Sequence, residues 1–102
     1  MEDKEIVDLY WARSEEAITE TDKKYGRYCY YIAYQILCDN EDAEEIVNDT
    51  YLKTWNTVPP NRPDPLKGYV GMISNQLALD RYEAQTAAKR GGGQMPVVLR
   101  MP

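Results

Sequence analysis

The 102-residue sequence predicts an all-α fold, a compact bundle of about four helices. Apolar residues recur at three- and four-residue spacing in four segments, the period of a helix that buries one face. Turn signals separate the segments: an Asp39-Asn40 pair, a proline cluster between Pro59 and Pro65, and a Gly91-Gly92-Gly93 run. Hydrophobic residues make up 43% and charged residues 28%, which is globular composition. The length suits one domain, with a core that needs no metal or disulfide.

The first helix is expected over residues 5–19, with Ile6, Tyr10 and Ala17 on one stripe and Val7, Trp11 and Ile18 beside it. The second is expected over residues 22–38 behind a Thr21 N-cap. Tyr25, Tyr28, Cys29, Ile32, Ala33, Ile36 and Leu37 form its core-facing stripe, and Tyr30, Tyr31 and Tyr34 widen the aromatic surface. Asp39-Asn40 breaks that helix and caps a third, in which Glu41, Asp42, Glu44 and Glu45 favour the positive end of the dipole. This third helix is expected to reach Trp55. Its inward arc is Ala43, Ile46, Val47, Thr50, Tyr51, Thr54 and Trp55; its outward arc is Asp42, Glu45, Asn48, Asp49 and Lys53.

Leu52 breaks that division. At about 100° per residue it falls opposite Ala43, in the middle of the acidic face. A lone exposed leucine is ordinary, but an apolar centre ringed by polar groups is also the make-up of a docking surface.

Residues 56–65 hold Pro59, Pro60, Pro63 and Pro65 and form a stiff loop, because proline removes a backbone donor and drives its predecessor from helical angles. The fourth helix is expected from Leu66 to Arg90, with Tyr69, Val70, Ile73 and Leu77 inward. Asp80 is expected on that inward face, paired with Arg27 or another basic residue of the second helix, since a buried carboxylate needs a cation. Lys67, Asn75, Gln76, Arg81, Lys89 and Arg90 are expected outward, residue types that contact bases and phosphates. Residues 1–90 thus form one domain, and 91–102 a linker or disordered tail.

The absences narrow the chemistry. Histidine is missing, and with it the commonest general base and metal ligand. Two cysteines cannot complete a zinc site, and Cys29 and Cys38 on one helix stand about 13 Å apart, too far to bridge. Cys29 reads as core filler, and reduced thiols fit a cytosolic protein. No Gly-rich phosphate loop opens a helix. No apolar run approaches the roughly 20 residues of a membrane span, and the charged start is no signal peptide, so the expected compartment is the cytoplasm. No catalytic residue, cofactor or metal is expected. The net charge of −5 is uneven: 14 acidic and 6 basic residues up to Val58, then 3 acidic and 6 basic. Two binding faces fit that split, one acidic for a basic protein partner and one mildly basic for phosphate, as does simple drift in composition.

The stretch from Asn40 to Trp55 (NEDAEEIVNDTYLKTW), followed past the proline loop by Tyr69 to Arg81 (YVGMISNQLALDR), resembles the second conserved region of bacterial sigma factors of the extracytoplasmic-function type. The resemblance spans roughly residues 22–90. It implies a compact helical domain that docks on RNA polymerase core and recognises and melts the promoter −10 element, the polymerase supplying all catalysis. It places Asp42, Glu45, Asn48, Asp49 and Leu52 against the clamp coiled coil of the β′ subunit. It places Asn61, Arg62, Lys67, Tyr69, Asn75, Gln76 and Arg81 on the non-template strand. An anti-sigma protein is a further candidate partner.

The sequence departs from the family pattern, which usually has Trp at Tyr69, a basic residue at Asn75, Asn at Gln76 and basic residues around Glu83. Three of these departures weaken the cationic face. The family's −35-reading domain is absent, so the chain is expected to be an excised fragment or a truncated product. The alternative is a protein-interaction domain that binds polymerase or an anti-sigma protein and has little affinity for DNA.

Overall fold

The computed structural model describes residues 1–89, with side chains through Ala87. Four helices follow one another: α1 (Asp3–Trp11), α2 (Glu16–Leu37), α3 (Asn40–Thr57) and α4 (Leu66–Lys89). Among the described residues there is no strand, and no helix is long and apolar enough to cross a membrane. The all-α expectation holds. The expected end of the domain at Arg90 and the tail beyond it lie outside the described residues.

α2 is the central element and packs on α1, α3 and α4; α3 and α4 also pack on each other. The main core gathers Ile6, Val7 and Tyr10 of α1, Ala17 and Cys29 of α2, Val47 and Tyr51 of α3, Val58, and Leu66 and Val70 of α4. A second cluster joins Ala33, Ala43, Ile46 and Ala78 from α2, α3 and α4. Between α3 and α4, the buried hydroxyls of Thr50 and Ser74 meet at 2.8 Å, and Thr50 also donates to its own helix at Ile46 O.

The first two helices divide differently from the expected 5–19 and 22–38. The break falls at Ala12–Glu15, where Arg13 takes a left-handed backbone at φ 57°, and α2 runs unbroken through Thr21. Thr21 is no cap. Its hydroxyl is buried, donating to Ala17 O at 2.8 Å and meeting the Tyr10 hydroxyl at 2.7 Å. Both bonds satisfy the buried hydroxyl, so threonine is tolerated in a helix interior that its propensity disfavours. Near the true start of α2, Glu16 N donates to Ser14 Oγ at 3.3 Å. Of the residues expected on or beside that stripe, Ile6, Val7, Tyr10 and Ala17 are buried and Ile18 is half-buried, while Trp11 is exposed because it lies at the end of α1, beside the loop.

The break before α3 lies where expected: Cys38 ends α2 in a left-handed conformation, and Asp39 caps α3 by accepting from Asp42 N at 2.9 Å. α3 runs two residues past Trp55.

Asp80 is a correction. It is exposed, accepts a hydrogen bond from Gln76 Nε2 at 3.1 Å, and is not paired with Arg27. Ala78 is the last buried residue of α4 among those described, so the helix outruns the core and a position on the old stripe meets solvent.

Candidate functional site

α3 presents two opposite faces. Ala43, Ile46, Val47, Thr50, Tyr51 and Thr54 are buried and Trp55 is half-buried. On the reverse side Glu45, Asn48, Asp49 and Lys53 are exposed, and Leu52 stands among them 59% exposed. Among the described residues, Asn48 and Asp49 make no side-chain hydrogen bond or ion pair, so the part of this face around Leu52 is open.

Asp42 and Glu45 are already engaged. Arg81 Nη1 reaches Glu45 Oε1 at 2.5 Å and Asp42 Oδ1 at 3.1 Å, and Gln85 Nε2 donates to Asp42 Oδ2 at 3.0 Å. The hydrogen bond to Glu45 is the main influence raising the Arg81 guanidinium above its ordinary value, with Asp42 adding to it. The outward orientation expected for Arg81 is therefore corrected: its side chain is 27% exposed and turned to α3. The reason is angular. Seven residues after Ser74, the α4 residue that meets Thr50, Arg81 returns to nearly the same side of the helix.

The loop between α3 and α4 brings Asn61, Arg62 and Tyr69 together. The Tyr69 hydroxyl lies 2.7 Å from Thr57 Oγ1 and accepts from Asn61 Nδ2 at 3.1 Å. Trp11 Nε1 donates to Asn61 O at 3.0 Å. Arg62 Nη2 contacts Asp8 Oδ1 at 3.1 Å, and its guanidinium lies 4.8 Å from the centre of the Trp11 ring. Arg13 donates to Trp55 O and Val58 O, each at 3.0 Å, and sits 3.8 Å over the Trp55 ring. It thereby satisfies carbonyls that the end of α3 leaves unpaired. The sequence reading missed this set. Its signals were the Ser14-Glu15-Glu16 helix start, which places Arg13 in a junction, and the period that puts Asp8 and Trp11 on one side of α1.

On α4, Lys67 Nζ lies 4.8 Å above the Tyr28 ring, and Asn75 and Gln76 are exposed as expected. Met72, Leu79 and Tyr82 are also exposed there, a partly apolar outward ridge that the charge pattern did not reveal. Gly71 is required by close approach: a Cβ would lie 2.8 Å from the Tyr28 hydroxyl.

A cleft of about 890 Å³ opens between α2 and α3, lined in part by Lys23, Arg27, Tyr30, Glu44 and Asn48. At its floor the Tyr51 hydroxyl donates to Asp22 Oδ1 at 2.5 Å; burial, then this carboxylate, pushes the Tyr51 phenol up. Burial likewise raises the Cys29 thiol, which fits a core residue better than a nucleophile. Among the described residues no group of three or more Cys, Asp and Glu is placed to hold a metal ion.

Compared with known families, residues 22–88 match Sigma-70 region 2. No curated protein and no solved structure matches the chain. Sigma-70 region 2 is a non-enzymatic domain of transcription initiation factors, and at the level of the family it binds RNA polymerase core and recognises the promoter −10 element. α3, the proline loop and α4 through Ala87 all fall inside the match, while α1 and the Arg13 junction precede it. Because the match covers more than half of the chain, this protein belongs to the sigma-70 region 2 family.

Proposed function

We propose that this chain is the core-docking, promoter-binding domain of an alternative sigma factor of the extracytoplasmic-function type. α3 lies against the basic clamp coiled coil of the β′ subunit, with Leu52 as the desolvated centre and Glu45, Asn48 and Asp49 around it. Asp42 contributes from the rim, where Arg81 shares its charge. The loop and the outward side of α4 meet the non-template strand through Asn61, Arg62, Lys67, Tyr69, Asn75 and Gln76. Trapping single-stranded DNA needs stacking surface and phosphate contacts, and Tyr82, Lys67 and the neutral amides offer both. Arg81 serves that strand only after leaving Glu45 and Asp42.

One observation carries the reading: an exposed leucine at the centre of a polar face, on a helix whose other side is wholly committed to the core. Binding of the chain to core polymerase, with and without a promoter fragment holding an open bubble, tests it. Tight core binding that the bubble strengthens supports the proposal; failure to bind core overturns it.

The second reading, an interaction-only domain whose partner is polymerase or an anti-sigma protein, draws on a different observation. Arg62 and Arg81 are both ion-paired within the domain, and Glu83 is exposed on α4. Core binding that the bubble leaves unchanged favours this reading.

A further inference from the structure

The loop proposed to meet the promoter strand is held by the elements it connects, through Asn61 N to Thr57 O and Asn61 Nδ2 to the Tyr69 hydroxyl. A second set of fixed points comes from the N-terminal part of the chain. Trp11 Nε1 holds Asn61 O. The Trp11 ring and Asp8 hold the Arg62 guanidinium. Arg13 seals the end of α3 at Trp55 O and Val58 O, where the loop begins. α1 is itself fixed to the bundle by buried Ile6, Val7 and Tyr10, so its outward side is a rigid support. Each of these N-terminal residues precedes the segment that matches the family.

From this arrangement we infer that α1 and its junction are a positioning device for the promoter loop, with Trp11, Asp8 and Arg13 as positioning residues that set Asn61 and Arg62 in register for the single strand. The inference rests on the proposed promoter reading. Its physical content is preorganisation. A loop already fixed in its binding geometry loses little conformational entropy on binding, and a wrong base cannot be accommodated by the loop moving aside. Asp8 has a second effect: by neutralising Arg62 it lowers indiscriminate attraction to phosphate and makes binding depend more on the base. A residue that merely stabilised the fold would change neither balance.

The test uses the full chain assembled with core polymerase and a pool of single-stranded DNA randomised over the −10 positions. After selection by the wild-type chain, the selected strand and a scrambled strand are compared by affinity in each variant. Trp11→Phe keeps a ring beneath Arg62 and removes the donor to Asn61. The loss of one such bond corresponds to a fall of about two- to tenfold in the selected-to-scrambled ratio, with core affinity unchanged. Asp8→Asn frees Arg62, so affinity for the scrambled strand rises while the ratio falls; Asp8→Glu restores both. Tyr25→Phe is the control. It removes the bonds from Tyr25 to Asp3 at the other end of α1 and none of the bonds to Asn61 or Arg62, so the ratio stays at the wild-type value. An unchanged ratio in Trp11→Phe and Asp8→Asn overturns the inference, as does an equal fall in Tyr25→Phe, which would mark a general stability effect. If the wild-type chain binds core but enriches no sequence, the promoter reading itself fails, a result distinct from either of these.

Discussion

The outward face of α3 and the loop–α4 surface are built in opposite ways. On α3, one helix of regular period places Asn48, Asp49 and Leu52 in solvent, and among the described residues no side-chain hydrogen bond or ion pair engages them. On the loop side, most of the polar groups already have partners: Asn61 with Trp11 and Tyr69, Arg62 with Asp8, Arg81 with Glu45 and Asp42. The first surface is open. The second is shaped and restrained, and a strand that enters it must exchange contacts as well as gain them. In a chain carrying net charge −5, affinity is therefore expected to come first from the protein partner, with DNA binding added once the domain is seated on polymerase.

The largest expected effect breaks the α3 side. Leu52→Glu puts a charge at the centre of the proposed docking face and should weaken binding to core polymerase, or to a β′ clamp fragment, by about 30-fold or more, the scale of an interface hot spot. Helical circular dichroism should be unchanged, because the residue is exposed in the free domain. Unaltered pulldown would remove Leu52 from the interface.

Tyr69→Phe sharpens the other side by deleting the hydroxyl that joins Thr57 and Asn61. Losing about 1 kcal/mol should lower Tm by about 4–8 °C for a domain of this size, with core affinity kept. A Tm at the wild-type value would show that these bonds do not stabilise the loop.

Glu83→Arg reverses a charge on α4. It should raise affinity for single-stranded −10 DNA and steepen the salt dependence by a log–log slope of about 0.7 if one phosphate contact is gained. An identical salt slope would support the interaction-only reading.

Arg81→Gln distinguishes the two surfaces most directly. Releasing Glu45 and Asp42 should raise core affinity by about two- to threefold, most at low salt, since exposed ion pairs are worth little each. DNA affinity falling with core affinity constant would instead place Arg81 on the strand.

The smallest effect concerns the attachment of α1. Partial burial acts to raise Asp3, but hydrogen bonds from Lys24 and Tyr25 outweigh it and hold its carboxyl below the ordinary 3.8. These bonds contribute fully above that value and are lost as pH falls through the lowered one. Asp3→Asn should thus lower Tm by about 1–4 °C near neutral pH, and the gap should close on acidification below 3.8. A gap that widens in acid would contradict the sign.

α3 was legible because its cap, period and burial are all local. Asp39 supplies the cap oxygen, and about 100° per residue separates Ile46 and Val47 from Leu52. The loop was legible for a similar reason, since proline acts on its own and its neighbour's backbone. The boundary between α1 and α2 was not. Neither glycine nor proline marks it, and the left-handed Arg13 is stabilised by carbonyls more than forty residues away. Thr21 looked like a cap because threonine often is one; only Tyr10, brought beside it by packing, makes it a helix interior.

By itself, then, the sequence determined that the fold has four helices, where the break before α3 falls and which face of α3 is acidic, because these follow from backbone preference and helical period. Only the tertiary structure decided which cations are free. Whether Arg62 and Arg81 meet solvent, a nucleic acid or a carboxylate of their own domain depends on the angle and depth at which α1, α3 and α4 meet. A single helix period contains neither quantity, because each arises where side chains from distant segments pack together.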